Sequence, residues 1–174
     1  MRIALIRHPA PLIEPGICYG RLDVGVDPSE EERICRLAAD SDIHGATHVW
    51  SSPARRCQGL AGAIALALSV PMTIDPRLQE LDFGEWEGRP WNAIARADLA
   101  RWAADPLRFR APGGESGEAL IARVSDFFAG LKQDCVVVSH GGPLRVLSAL
   151  LRGEPVDLLS PPQALGTAIA ITRG

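Results

Sequence analysis

The chain has 174 residues, 47% of them hydrophobic and 22% charged, and a formal net charge of -3. That length suits one domain able to bury roughly 70% of its unfolded surface, and an ordinary apolar share with so small a charge excludes a disordered chain. The slightly acidic balance argues against a bulk nucleic-acid binder, which carries a basic face.

Residues 2–6 form a short apolar run, the pattern of a buried strand. Residues 7–28 follow with Pro9, Pro11, Pro15, Gly16, Gly20 and Gly25, and an irregular stretch that long in a compact domain usually serves function. Pro28 opens a helix, with Asp27 as N-cap, Glu30, Glu31 and Glu32 at its positive end, and Ile34, Leu37 and Ala38 as its apolar stripe. A second strand is predicted over 47–50. Ser51-Ser52-Pro53 then turns into a helix whose Leu60, Ala61, Ile64, Ala65 and Leu68 share one face, ended by Pro71. Residues 72–74 make a third strand, and 77–88 (RLQELDFGEWEG) a charged, aromatic loop without periodicity.

A helix is predicted over 91–104, with Ile94, Leu99 and Trp102 inward. Ser116 caps another, with Leu120, Ile121, Val124, Phe127, Phe128 and Leu131 at helical spacing. Residues 135–138 are a fourth strand, Pro143 begins a helix over 144–151, and 168–172 are the last strand. Alternating strands and helices, with uniformly apolar strands, predict an α/β fold: a three-layer α-β-α sandwich around a mostly parallel sheet, in one domain over 1–174.

No apolar run approaches the ~18 residues of a membrane span. Arg7 and His8 cut the first apolar stretch too early for a signal peptide, so a cytoplasmic protein without membrane or nucleic-acid partners is expected. Cys18, Cys35, Cys57 and Cys135 form no C-x-x-C pair and no metal spacing; they read as reduced thiols. His44 and His48 have the spacing of half a zinc site, but Gly45 and the strand-like THVW spoil a helix there and no third ligand is near, so no metal is expected. The oligomeric state stays open, a homodimer among the options.

Ligands of open α/β sheets sit outside the carboxyl ends of the strands. Arg7 and His8 follow the first strand, Ser51, Ser52, Arg55 and Arg56 the second, Glu80 the third, and His140, Gly141 and Gly142 the fourth. Guanidinium forks match phosphate oxygens, and glycine N–H groups ahead of a helix add an anion site. An imidazole among cations stays neutral and nucleophilic, so it can attack phosphorus; a carboxyl group can protonate the leaving oxygen and then activate water. No metal or other cofactor is needed for this.

IRHPAP, SSPARRC, LQELDFGEWEG and VVVSHGGPLR, in this order and on these element ends, resemble the motifs of the histidine phosphatase, or phosphoglycerate mutase-like, superfamily across most of the chain. The resemblance implies a phosphoglycerate mutase-like fold and a phosphomonoesterase, with His8 as phosphorylated nucleophile, Arg7, Arg56 and His140 gripping the phosphoryl group beside Gly141, and Glu80 as acid/base. GICYGRLD, LDFGEWEG and PGGES are most similar to the α-ribazole phosphatase branch, which acts in cobalamin nucleotide-loop assembly, and place Gly20 near substrate. Pro9 stands where the family usually has glycine and removes an N–H, a family asparagine further on is absent, and CQGLA replaces the usual threonine after Arg56.

Blander readings stand beside these. His8 and His140 could be buried structural histidines, Arg55 rather than Arg56 the binder, and Asp82, Glu85 or Glu87 the acid in place of Glu80. Cys18, Tyr19 and Arg21 are candidates for the substrate mouth, and Trp86 and Trp91 either stack on substrate or pack, whereas Trp102 reads as packing. Glu115 and Ser116 are substrate-binding candidates with helix capping as the alternative. The substrate class expected is a small phosphomonoester, α-ribazole 5'-phosphate by name. A mutase-type phosphotransferase and a non-catalytic phospho-ligand binding module are the rivals.

Overall fold

The computed structural model describes residues 1–173. Five strands, β1 (Arg2–Arg7), β2 (His48–Ser51), β3 (Met72–Ile74), β4 (Cys135–Ser139) and β5 (Ala168–Thr172), form one sheet in the order β3-β2-β4-β1-β5. The first four are parallel and β5 runs antiparallel along β1. Five α-helices accompany them: α1 (Glu31–Ala38), α2 (Arg55–Leu68), α3 (Arg96–Ala104), α4 (Gly117–Ala129) and α5 (Gly141–Arg152).

Successive residues of a strand face opposite sides of its sheet, and here both sides are covered. Ile3, Leu5, Cys135 and Val137 pack against Leu120, Val124 and Phe127 of α4 and Leu144, Leu147 and Leu151 of α5. Ala4, Ile6, Val136 and Val138 pack on the other side against Leu37 of α1 and Leu60, Ala61, Ile64 and Ala65 of α2. This is the three-layer α/β arrangement expected from the uniformly apolar strands. A smaller third cluster, Cys18, Trp86, Ile94 and Ala111 with Phe83, Trp91, Leu99, Trp102 and Phe109 around it, joins the first through Phe83, which packs against both.

Local structure departs from expectation in three places. The segment 91–104 is not one helix: a 3-10 turn at Trp91–Ala93 precedes α3, because Ile94 and Ala95 adopt extended backbone as Ile94 turns into the aromatic cluster. Leu131 lies beyond α4, which stops at Ala129 with Gly130 as C-cap. Helix α5 starts at Gly141, two residues before Pro143, and His140 is its N-cap. Proline is tolerated there because first-turn N–H groups have no helical acceptor. Among the described residues no helix is long and apolar enough to cross a membrane.

Candidate active site

Strand register places the histidines. Arg7 pairs with Ser139 across the parallel strands β1 and β4, and the His8 N–H donates to the Ser139 carbonyl at 3.1 Å. The next residues, His8 and His140, therefore leave adjacent strand ends together, with ring centroids 5.1 Å apart. Strand β2 flanks β4 on the other side, and the Ser52 N–H donates to the Val138 carbonyl at 3.0 Å. That puts the Ser52 hydroxyl 2.7 Å from His140 Nε2. Ser52, His140 and His8 thus form a row across three neighbouring strand ends, all three buried.

His8 Nδ1 lies 2.7 Å from the Pro9 carbonyl. A carbonyl only accepts, so Nδ1 carries the proton and Nε2 keeps its lone pair. The proline that removes a donor from this loop still supplies the acceptor that orients His8. Burial, and then the charges of Arg56 and Arg7, lower the His8 pKa to about 3, against the opposing Pro9 hydrogen bond. Burial likewise holds His140 well below the ordinary histidine range, helped by Arg56, His8, Arg7 and Arg123. Both rings are neutral at physiological pH.

Arg56 comes from the first turn of α2, where Ala54 is the N-cap, and is fully buried. Its terminal nitrogens donate to the Gly20 carbonyl at 2.6 Å and the Leu22 carbonyl at 2.8 Å, and its guanidinium lies 5.0 Å from the Tyr19 ring centroid. Arg55 instead pairs with Asp23, its side chain 68% exposed, which leaves Arg56 as the arginine among the histidines. Arg7 donates through Nη1 to the Gln163 carbonyl at 2.7 Å. Arg7 Nε, Arg56 Nε and His140 Nδ1 are buried with no hydrogen-bond partner among the described residues. Unsatisfied buried donors are rare, and a tetrahedral oxyanion has acceptors for such a set.

Glu80 rests on the amino end of α5. The Gly142 N–H reaches both of its carboxyl oxygens, at 3.1 and 3.3 Å, and the Leu81 N–H reaches Oε1 at 2.9 Å. A Cβ on residue 142 would collide with Glu80 Oε1, so glycine there makes room for the carboxyl group. A cleft of about 170 Å3 opens beside it, lined by Arg56, Glu80 and His140 at its base and by Arg21, Asp23 and Gln79 among its other walls.

The other candidates divide. Tyr19 stays beside the site, its ring 6.3 Å from that of His8, and Gly20 and Arg21 line the cleft. Gly141 sits against the Arg7 guanidinium. Cys18 and Trp86 do not line a mouth: both are buried in the aromatic cluster, because three indoles and two phenyl rings cover more apolar area by packing together than by facing a polar cleft. Trp91 and Trp102 stack on each other there, 6.2 Å between centroids. Ser116 is occupied as N-cap of α4, accepting from the Ala119 N–H at 3.2 Å. Glu115 binds Arg21 and Arg123. Burial pushes the Cys57 thiol, 3.6 Å from His140 Nε2, up to about 12, so it stays protonated. His48 bonds to Thr73. Sequence reasoning brought Ser52 and Gly142 to this edge without their partners, His140 and Glu80, and missed Gln163 and Arg123 as site-building residues.

The sequence profile of the histidine phosphatase superfamily (branch 1) matches residues 3–173. The chain belongs to that superfamily. Relatives of this histidine phosphatase include a Hydrogenobacter thermophilus protein named as a phosphoserine phosphatase, 33% identical over 166 residues, covering 91% of this chain and 82% of the relative. The adenosylcobalamin/alpha-ribazole phosphatase of Escherichia coli is 32% identical over 170 residues, covering 91% of this chain and 83% of the relative. In three dimensions it is similar to the alpha-ribazole phosphatase from Shigella flexneri, with a TM-score of 0.88 at 28% identity over 99% of this chain and 90% of that one. The enzyme is a phosphatase of the phosphoglycerate mutase-like fold.

Proposed function

We propose that the protein is a metal-independent phosphomonoesterase that hydrolyses a small phosphorylated metabolite through a phosphohistidine. The observation that carries this is the bond between His8 Nδ1 and the Pro9 carbonyl, which leaves Nε2 as a neutral nucleophile beside the buried Arg56 and the half-buried Arg7. Nε2 attacks phosphorus and the ester P–O bond breaks. The Glu80 carboxyl gives its proton to the leaving oxygen, and the ionised carboxylate then takes a proton from water as that water opens the P–N bond, returning the electron pair to Nε2. Ser52 accepts from the Ala54 N–H, and in this mechanism its hydroxyl proton goes to His140 Nε2, 2.7 Å away, so that the His140 proton stands on the otherwise unpartnered Nδ1 for the phosphoryl oxygens. Arg7 and Arg56 offset the charge on the transferring group. Rapid-quench labelling with a phosphomonoester should give acid-labile phosphate on His8, lost in His8→Ala together with turnover. A stable wild-type protein that never labels would overturn the reading.

α-Ribazole 5'-phosphate is the first substrate to test, since the Escherichia coli and Shigella flexneri relatives bear that activity in their names; a cytoplasmic role in cobalamin nucleotide-loop assembly goes with it. A phosphorylated amino acid is the second reading. Two Hydrogenobacter relatives are named for phosphoserine, and the cleft walls are Arg21, Asp23 and Gln79 with Pro53 and Ala54, without an aromatic face for a heterocycle. Measuring kcat/KM on both compounds separates them: preference for phosphoserine retires the α-ribazole reading, and the reverse retires the other.

A further inference from the structure

Glu80 lies in a loop just past the 3-10 turn Pro76–Leu78, within neither helix nor strand, and only its carboxyl group meets α5. Its main chain is instead held by two guanidinium groups. Arg123 of α4 donates to the Glu80 carbonyl at 3.0 Å and to the Arg77 carbonyl at 2.6 Å, stapling both ends of residues 77–80. Arg21 donates to the same Glu80 carbonyl at 3.2 Å. Both arginines meet at Glu115: its Oε1 accepts from Arg123 Nη2 at 2.6 Å and pairs with Arg21 Nη2 at 3.1 Å, while Oε2 accepts from Arg123 Nε at 3.2 Å. The same Oε1 receives the Asp82 N–H at 3.2 Å, two residues past Glu80.

We propose that Arg123 and Glu115 are positioning residues that fix the Glu80 carboxyl group at the cleft by clamping the backbone on both sides of it. This rests on Glu80 as the acid/base. Fork-to-carboxylate geometry gives direction as well as attraction, and with side chains only 17% and 14% exposed the Arg123–Glu115 pair is largely shielded from water and salt. Helix α4 is packed into the core through Leu120, Val124 and Phe127, so Arg123 reaches the loop from a rigid base. Neither residue lines the cleft, which separates this role from substrate contact.

The test compares p-nitrophenyl phosphate, whose leaving group needs little protonation, with β-glycerophosphate, whose alkoxide needs it fully. Arg123→Met should lower kcat on β-glycerophosphate about tenfold more than on p-nitrophenyl phosphate, the scale of a misplaced catalytic group, with KM unchanged. Arg123→Lys should recover part of the difference, and Glu115→Gln should show it in smaller degree. Circular dichroism checks each fold; if Arg123→Met does not fold, Arg123→Lys and Glu115→Gln carry the comparison alone. Equal loss on both substrates, or loss confined to KM, overturns the proposal, provided Glu80→Gln discriminates between them. If Glu80→Gln loses both equally, the reading of Glu80 falls and this proposal with it.

Discussion

The buried neutral state of His8 has a consequence for stability. With its pKa lowered from an ordinary 6.5 to about 3 by burial and two arginines, the folded protein binds fewer protons than the unfolded chain between those values. The contribution of His8 to stability therefore stays level above pH 6.5 and is lost as pH drops toward 3, by about 1.4 kcal/mol for each pH unit; His140 adds to the fall in the same direction. Urea midpoints measured from pH 7 to pH 4 should decline steeply in the wild type and less steeply in His8→Asn, which removes one titrating ring. An equal decline in both would mean that the ring charges without cost in the fold. The identities of the histidines, of Arg7 and of Glu80 were legible because each directly follows a strand end or stands in a motif. Ser52 as the partner of His140 was not, since a serine before a turn signals only the turn.

Elements explain what single positions do not. The apolar stripes gave α1, α2 and α4 with boundaries near those observed, because burial on one face repeats at helical period. The start of α5 was misplaced because glycines are poor helix formers, yet Gly141 and Gly142 begin it so that α5 can present the Gly142 N–H to Glu80. Trp86 and Trp91 suited substrate stacking as well as packing; they pack with the other aromatic residues of 83–109, a tertiary choice that carries no periodic signature. The seat of Glu80 on α5 yields a prediction. Gly142→Ala suits the helix by about 1 kcal/mol of propensity but drives its methyl group into Glu80 Oε1. Thermal stability should change little while kcat on β-glycerophosphate falls about tenfold or more. Unchanged kcat with a lowered melting temperature would show that the carboxyl group does not need this seat.

At the scale of the molecule, the outcome of the proposed phosphohistidine depends on what covers the carboxyl edge of the sheet. Transfer back to a substrate, as in a mutase, requires water to be kept out while the P–N bond waits. The region long enough to act as a cover, 83–115, spends its aromatic side chains on its own cluster. The cleft is walled in part by the irregular segment after β1, whose side chains meet solvent, Asp23 at 53% and Arg21 at 30% exposure. On the proposed mechanism water would enter from this mouth, which Glu80 lines, so hydrolysis is expected to outrun return. In water enriched in 18O, phosphate released by the enzyme should carry one solvent oxygen, drawn from the step that opens the P–N bond. Phosphate release from 3-phosphoglycerate should likewise exceed its conversion to 2-phosphoglycerate. Mutase turnover faster than release would mean that a segment of this chain closes over the cleft once the phosphoryl group is bound.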